Sequence, residues 1–170
     1  MGAPRPASLF PLAPSATEWH RGAIPLVCPA CQVPLPQLPD WPVEGLHCPG
    51  CQRLYVMENG IPRFVDTDAY AGSFSFEWLR HRRTQLDHGE RNESERTFRA
   101  KTGLAPEDVK GKLVLDVGCG MGRFAEVVGR WGGQVVAVDI SHAVEAAREN
   151  LADRGNAMVL QADLFRLPFP

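Results

Sequence analysis

A glycine-rich turn after one apolar run constrains the fold of this chain more than any other feature. Residues 113–117 read Leu-Val-Leu-Asp-Val, and Gly118, Gly120 and Gly122 follow at alternate positions. This order predicts a buried strand that carries Asp116 near its end and leads through a tight turn into a helix. Such a turn lets a ligand approach bare backbone beside a helix N-terminus. The sequence therefore predicts a ligand site where this strand ends.

Two more acids stand at the ends of later apolar runs. Asp139 ends the run 134–139 and lies 21 residues after Gly118, near the spacing at which a carboxylate meets a ribose diol. Asp163 follows the run 157–162. Because the carboxyl ends of parallel strands meet at one edge of a sheet, we expect the three carboxylates to gather around the turn.

Helical periodicity separates the three predicted strands. The inward faces are Phe124, Val127, Val128 and Trp131 in the first helix, and Ala143, Val144, Ala147 and Leu151 in the second. Ser141 is the predicted N-cap of the second helix, and Gly132-Gly133 and Gly155 are the predicted stops. Strand, helix, strand, helix, strand is a βαβαβ unit, which predicts a parallel α/β sheet with right-handed crossovers.

Three strand-end carboxylates around one glycine turn resemble the cofactor site of the class I S-adenosylmethionine-dependent methyltransferases. The resemblance implies a Rossmann-like sheet, methyl-transfer activity and S-adenosylmethionine as cofactor. It implies that Gly118, Gly120 and Gly122 let the methionine part of the cofactor lie against the backbone. Asp116 would then lie near the amino group of the methionine part.

The same resemblance assigns the adenosine part. Asp139 would accept hydrogen bonds from both ribose hydroxyls, and Ile140 would cover one face of the adenine. Asp163 would accept from the adenine amino group, and Leu164 would offer its backbone amide to the ring. Cys119 fills a turn position that is commonly Cys in such enzymes, so it is interpreted as a small turn residue within the site.

Other interpretations of the turn remain open. Gly120, Gly122 and Ala125 also fit G-x-G-x-x-A, the pattern of a dinucleotide site. An acid at Asp116 would repel a pyrophosphate, whereas it would attract the sulfonium and ammonium groups of S-adenosylmethionine. A purely structural turn is the third alternative, and Asp163 could simply cap a loop or helix.

Four of the five cysteines form two C-x-x-C pairs. Cys28 and Cys31 form the first and Cys48 and Cys51 the second, and sixteen residues separate the pairs. This spacing is typical of a closed four-cysteine zinc site with a structural role, with iron or no metal as the alternatives. His47 is a possible substitute ligand.

The segment around these cysteines carries a second resemblance. The pairs, followed by the run from Asn59 to Val65, resemble the zinc ribbon of small methyltransferase-activator proteins, over about residues 24–66. Related ribbons occur fused ahead of class I methyltransferase domains. The expected fold is therefore an N-terminal zinc ribbon followed by the first βαβαβ half of a methyltransferase sheet.

Four segments are expected along the chain. Residues 1–22 are a disordered tail, 23–66 the ribbon, 67–110 a helical lead-in and 111–170 a partial methyltransferase domain. The lead-in is predicted to hold two amphipathic helices, the second capped by Asn92. Its aromatic start resembles a segment of related fused enzymes, which would bring Phe76, Trp78 and Gln85 near the cofactor. Packing of these aromatics on the sheet is the alternative.

The family sheet has seven strands, of which three are predicted here. The resemblance implies that the first strand normally pairs with a fourth, so we expect it to present an open apolar edge. The chain is accordingly expected to be an N-terminal fragment, and its activity alone is left open.

Charge and composition limit the classes of partner that the sequence predicts. A formal net charge of −2 gives no general reason to expect a nucleic acid or an anionic membrane as partner. No secretory leader is evident, and a cytoplasmic location is expected. The expected acceptor is a small metabolite or natural-product intermediate. The alternatives are RNA, contacted through Arg80, Arg82 and Arg83, and a non-catalytic protein that binds a partner through the ribbon.

Overall fold

The computed structural model describes residues 24–36, 42, 44–65, 86–87 and 92–170. The predictions for residues 1–22, for the first lead-in helix with Phe76, Trp78 and Gln85, and for Arg80, Arg82 and Arg83 lie outside these ranges. Within them, every helix is too short or too polar to cross a bilayer.

Two small antiparallel hairpins follow the first cysteine pair. Strand β1 (Leu46–His47) pairs with β2 (Leu54–Tyr55), and β3 (Met57–Glu58) pairs with β4 (Ile61–Pro62). The first hairpin encloses Cys48 and Cys51, so its short strands hold the second cysteine pair in place.

The remainder of the described chain alternates helices and strands. It contains α1 (Glu93–Thr102), α2 (Pro106–Val109), β5 (Leu113–Val117), α3 (Arg123–Arg130), β6 (Gln134–Asp139), α4 (Ala143–Asn150) and β7 (Ala157–Gln161). The last three strands form a parallel sheet in the order β5-β6-β7. The predicted α/β fold is confirmed, and the third strand ends one residue earlier than predicted.

Helices cover one face of this sheet. Val127, Val128 and Trp131 of the α3 segment are buried against Val135 and Ala137 of β6. The predicted inner face of α4 is buried as well, at Ala143, Val144, Ala147 and Leu151. The 3.6-residue period therefore identified the packing side of both helices, because an amphipathic helix must bury its apolar stripe.

The cysteine-bearing segment covers part of the opposite face. Val136, Val138, Met158 and Leu160 lie in one apolar cluster with residues that precede or surround the cysteines. Those residues are Ile24, Leu26, Cys28, Leu35, Cys48, Tyr55 and Phe64. The small segment and the sheet thus share a continuous core.

The chain after β4 also closes one edge of the sheet. Arg63 forms a parallel bridge with Gln161, and the amide of Phe64 donates to the carbonyl of Gln161 at 2.7 Å. The amide of Val27 donates to the carbonyl of Pro168 at 3.0 Å. The bond to Gln161 satisfies a backbone group that the edge strand β7 would otherwise expose, and the bond to Pro168 ties the cysteine-bearing segment to the chain after β7.

The other edge strand, β5, presents apolar side chains. Leu113, Leu115 and Val117 are 47%, 44% and 42% exposed. They lie on the same face as Val136 and Val138, beyond the part that the cysteine-bearing segment covers. Among the described residues, β5 therefore has the apolar edge expected from the sequence.

Both predicted helix caps need correction. Asn92 stands at the N-cap of α1 but makes no side-chain cap there. The carboxylate of Asp87 instead accepts from the amides of Ser94 and Glu95 at 2.8 and 3.1 Å. The N-cap position of α4 is His142, one residue after the predicted Ser141.

The Ser141 hydroxyl still contacts the start of α4, because it accepts from the amide of Ala143 at 3.2 Å. In both helices the side chain that bonds the first turn stands outside the formal N-cap position. Local sequence alone does not reveal which side chain will reach the free amides of a helix start.

Candidate functional site

The glycine turn sits between β5 and α3 and is bound to the end of β6. Gly118 and Gly120 adopt φ of 76° and 53°, in the left-handed region that favours glycine. The amides of Gly118 and Cys119 both donate to the carbonyl of Val138, at 2.8 and 3.0 Å. The turn is therefore held beside the strand that ends in Asp139.

The glycines of the turn have different surroundings. A Cβ at Gly118 would meet nothing within 4 Å, so this glycine borders open space. A Cβ at Gly122 would lie 3.3 Å from the Leu151 side chain and 3.4 Å from Ala147. Gly122 is thus needed for close packing of α3 on α4, whereas Gly118 leaves room for a ligand.

Asp116 is mostly buried below the turn. Burial raises the pKa of its carboxyl, the Ala125 amide lowers it by donating a hydrogen bond, and the Asp139 charge raises it further, so the net shift is upward. Its Oδ2 is buried and has no hydrogen-bond partner within the described ranges. An unpartnered buried carboxylate oxygen is costly, and a bound cationic donor would satisfy it.

Asp139 connects the turn to the loop after β6. Its Oδ2 accepts from the amide of Gly120 at 2.8 Å. Its Oδ1 accepts from both the amide and the hydroxyl of Ser141, at 2.8 and 2.7 Å. A carboxylate has about four lone-pair sites, so a ribose hydroxyl would have to use the remaining one or replace one of these donors.

The ends of β6 and β7 lie side by side and are joined by a backbone hydrogen bond. The amide of Ala162 donates to the carbonyl of Asp139 at 3.0 Å. Asp163 Oδ1 accepts from the amide of Phe165 at 2.9 Å, so the loop cap that the sequence allowed is formed. Leu164 is 55% exposed and Ile140 is half-buried.

Cys119 lies inside the turn and is buried. Burial raises the pKa of its thiol well above the usual value, and the charges of Asp116 and Asp139 raise it further. The thiol is therefore neutral at physiological pH and a poor nucleophile. This environment agrees with its interpretation as a small turn residue.

The structure brings the other four cysteines together. Their sulfur atoms all lie within 4.8 Å of one another. The Sγ atoms of Cys28 and Cys51 are 3.7 Å apart, and those of Cys31 and Cys48 are 3.5 Å apart. Zinc–sulfur bonds of about 2.3 Å in a tetrahedron place the sulfurs about 3.8 Å apart. The cluster therefore fits a closed metal site.

The two cysteine turns have matching backbones. Gln32 and Gln52 each follow a C-P-x-C sequence, and both adopt φ of 62°. Their amides donate to the carbonyls of Cys28 and Cys48, at 2.8 and 2.9 Å. His47 is exposed and lies 3.1 Å through Nδ1 from the carbonyl oxygen of Gln52, so it is not one of the clustered groups.

Tyr55 contacts the cysteine cluster, and this contact was not predicted from the sequence. Its hydroxyl lies 3.0 Å from the Cys28 sulfur, to which it can donate. Burial raises the pKa of the Cys28 thiol, but the Tyr55 hydroxyl and nearby amides outweigh this and lower the pKa to about 6. A buried tyrosine seven residues after the first cysteine of the second pair has no recognisable spacing signal, so only the fold identifies it.

Comparison with known proteins addresses the segment that carries the glycine turn. Residues 114–170 match a family described as a methyltransferase domain. A demethylmenaquinone methyltransferase of Thermobifida fusca (strain YX) is 37% identical over 78 residues, which is 44% of this chain and 33% of that protein. The chain thus spans about a third of the length of this curated relative.

A similar solved structure is a glycopeptide N-methyltransferase complexed with sinefungin. It is 26% identical, with a TM-score of 0.32, over 46% of this chain and 34% of the other.

The matched segment includes the glycine turn and all three strand-end acids. This segment of the chain is therefore similar to a methyltransferase domain. In the described chain this segment contains the three parallel strands, and the four-cysteine segment that precedes it packs on their sheet.

Proposed function

We propose that this protein transfers the methyl group of S-adenosylmethionine to a small metabolite or natural-product intermediate. The observation that carries the proposal is the buried Oδ2 of Asp116, which has no hydrogen-bond partner among the described residues. Asp116 stands two residues before Gly118, whose backbone borders open space. A carboxylate held there attracts a cation and repels a phosphate. The site therefore favours the ammonium and sulfonium of this cofactor over a dinucleotide.

In this proposal the turn holds the methionine part. Gly118 and Gly120 allow close approach to the backbone, and Asp116 accepts from the ammonium group, directly or through water. Cys119 keeps the turn compact with its buried side chain. Gly122 acts indirectly, by allowing α3 to begin against α4.

The ends of β6 and β7 hold the adenosine part. Asp139 accepts from the ribose hydroxyls, and Ile140 covers one face of the adenine. Asp163 accepts from the adenine amino group, and the Leu164 amide faces the ring. Each of these four residues lies at or just after a strand end, so rigid strands position the contacts.

The bound cofactor would supply an electrophilic methyl group on a sulfonium. The described residues contribute binding, orientation and partial exclusion of water, which favour in-line attack by an acceptor. None of these side chains is proposed as the base that deprotonates the acceptor.

The four clustered cysteines are proposed to hold zinc, with four sulfur ligands and no open coordination position. The metal would be structural. Residues 23–66 are then a zinc ribbon, 67–110 a helical lead-in and 111–170 the partial methyltransferase domain. Reduced thiols suit a reducing compartment, so a cytoplasmic location is part of the proposal.

A small-molecule acceptor is preferred to RNA. The similar protein of Thermobifida fusca is by name a demethylmenaquinone methyltransferase, and demethylmenaquinone is a small molecule. The net charge of −2 also gives no electrostatic reason to expect RNA.

Calorimetric titration of the zinc-loaded chain tests the cofactor. S-adenosylhomocysteine should bind and NAD should not, and Asp139→Ala should lose the binding. Circular dichroism of each sample verifies that it is folded. A folded chain that binds NAD, or binds neither ligand, would contradict the proposal.

A further inference from the structure

Arg63, in the ribbon, is buried and joins three separate elements. Its Nη1 donates to Gln161 Oε1 of β7 at 3.1 Å. Its Nη2 pairs with Glu145 of α4, and its Nε lies 3.5 Å from Glu58 of the ribbon. A buried guanidinium must be paired, so these contacts hold Arg63 in one orientation.

Gln161 continues this connection toward the proposed cofactor site. Its Nε2 donates to the carbonyl of Ile140 at 2.9 Å. Arginine only donates hydrogen bonds, so Oε1 of Gln161 must face Arg63 and the amide nitrogen must face Ile140. Arg63 thereby sets the orientation of the amide.

The side chain of Gln161 links β7 to the loop that follows β6. Gln161 belongs to β7, two residues before Asp163, and its side-chain amide donates a hydrogen bond to Ile140 in the loop after β6. Gln161 is only 4% exposed, so it is placed to support Ile140 from within the core and not to contact a ligand directly. The backbone of Gln161 is held from the ribbon side by the Phe64 amide at 2.7 Å.

We propose that Arg63 and Gln161 are positioning residues that set the separation of Ile140 and Asp163, and so control adenine recognition from the ribbon. This inference rests on the proposed function, in which those two residues flank the adenine. The ribbon would then contribute to cofactor selectivity through Arg63 in addition to its packing on the sheet.

A purely structural role makes a different prediction. Loss of a buried hydrogen bond that only stabilises the fold lowers the folded fraction, and this weakens every ligand by the same factor. Loss of a positioning contact changes the relative affinity of two ligands that differ only at the adenine. The ratio of two dissociation constants therefore separates the two roles.

The test uses the full zinc-loaded chain and two ligands. S-adenosylhomocysteine is compared with S-inosylhomocysteine, in which an oxygen replaces the adenine amino group. Gln161→Glu keeps an acceptor for Arg63 but places an oxygen against the Ile140 carbonyl, and Gln161→Met removes both bonds. The matched control is Asn156→Ala, because Asn156 Nδ2 donates to the carbonyls of Gly129 and Gly133 at the opposite end of the sheet.

Both Gln161 variants should reduce the preference for S-adenosylhomocysteine about 3- to 10-fold, the effect of one hydrogen bond. Arg63→Lys, which keeps the charge but not the guanidinium fork, should reduce it less. Asn156→Ala should leave the ratio unchanged. Without ligand, the amides of residues 140–142 should exchange hydrogen faster in Gln161→Glu than in Asn156→Ala.

An unchanged ratio in folded Gln161→Glu would overturn this inference while leaving the proposed function intact. If Gln161→Met fails to fold, Gln161→Glu still decides the matter. Failure of the folded wild-type chain to bind S-adenosylhomocysteine is a different result, seen before any variant is made. It would overturn the proposed function and this inference with it.

Discussion

The carboxylate of Asp139 accepts a hydrogen bond from the amide of Gly120 at 2.8 Å, across nineteen positions of sequence. This bond joins the end of β6 to the glycine turn after β5. The proposed methionine and ribose contacts are thus built on one hydrogen-bonded unit. A change in either residue should affect both halves of the cofactor site.

Asp116→Asn should stabilise the fold and weaken cofactor binding. Burial raises the carboxyl pKa in the folded state, so ionised Asp116 favours the unfolded state once the pH is above the usual aspartate range. Its stabilising contribution is present at low pH and lost as the pH rises through the raised pKa. The neutral amide avoids this cost, but it no longer attracts the ammonium group.

Thermal melts and titrations with S-adenosylhomocysteine at pH 5 and pH 8 test this prediction. The melting temperature of the variant should exceed that of wild type at pH 8, and by a larger margin than at pH 5. Its affinity for the ligand should fall about 10-fold or more at pH 8. A variant with wild-type affinity would show that Asp116 does not contact the ammonium group.

Cys48→Ser should abolish stoichiometric zinc binding and destabilise the sheet as well as the ribbon. The reason is that Cys48 lies in the same apolar cluster as Val136 and Leu160. Loss of a structural zinc should lower the melting temperature by about 10 °C. Cys119→Ala is the matched control, since its sulfur lies in the glycine turn and should leave one zinc per chain. Elemental analysis and a thermal melt give both readouts.

Tyr55→Phe should weaken zinc binding with little loss of fold. The variant loses the hydroxyl that lies 3.0 Å from the Cys28 sulfur, but it keeps the ring that packs on Phe64 at a centroid distance of 5.0 Å. Loss of such an outer contact typically costs 10- to 100-fold in metal affinity. Competition with a chromophoric chelator measures the change. Equal competition by wild type and variant would show that the hydroxyl does not support the ligand.

Leu115→Ala and Val136→Ala should differ in their cost, although the two residues are partners in register. Leu115 is 44% exposed and Val136 is 2% exposed under the ribbon. Leu115→Ala should lower the free energy of unfolding by less than about 0.5 kcal/mol, and Val136→Ala should lower it by about 2 kcal/mol. Urea denaturation of the zinc-loaded chain measures both. A large cost at Leu115 would mean that this edge is covered in solution.

Asp87→Ala should destabilise the chain by about 1 kcal/mol, because it removes the side chain that caps α1. Asn92→Ala, at the formal cap position, should cost much less. Burial tends to raise the pKa of Asp87, but the amides of Ser94 and Glu95 and the charge of Arg130 lower it overall. Its contribution is therefore present at neutral pH and lost as the pH falls below the usual aspartate range. The two variants should approach equal stability in acid-denaturation curves.

Local sequence patterns by themselves determined the main helices and strands, the glycine turn and the cysteine cluster. Apolar periods identified three strands and the inner faces of two helices, because strands and helices each repeat with their own period. The glycine spacing identified the turn, since only glycine readily adopts positive φ there. The cysteine spacing identified the four-cysteine cluster, because each C-x-x-C turn places two sulfurs side by side.

Tertiary structure alone decided how these parts meet. Four features join residues that no local spacing rule connects. They are the packing of the ribbon on β6 and β7, the Arg63–Gln161–Ile140 connection, the contact of Tyr55 with Cys28, and the cap that Asp87 forms on α1. Such contacts depend on which surfaces the folded elements bury against each other. A one-dimensional pattern records which faces are apolar, but the choice of partner is made only when the chain is packed in three dimensions.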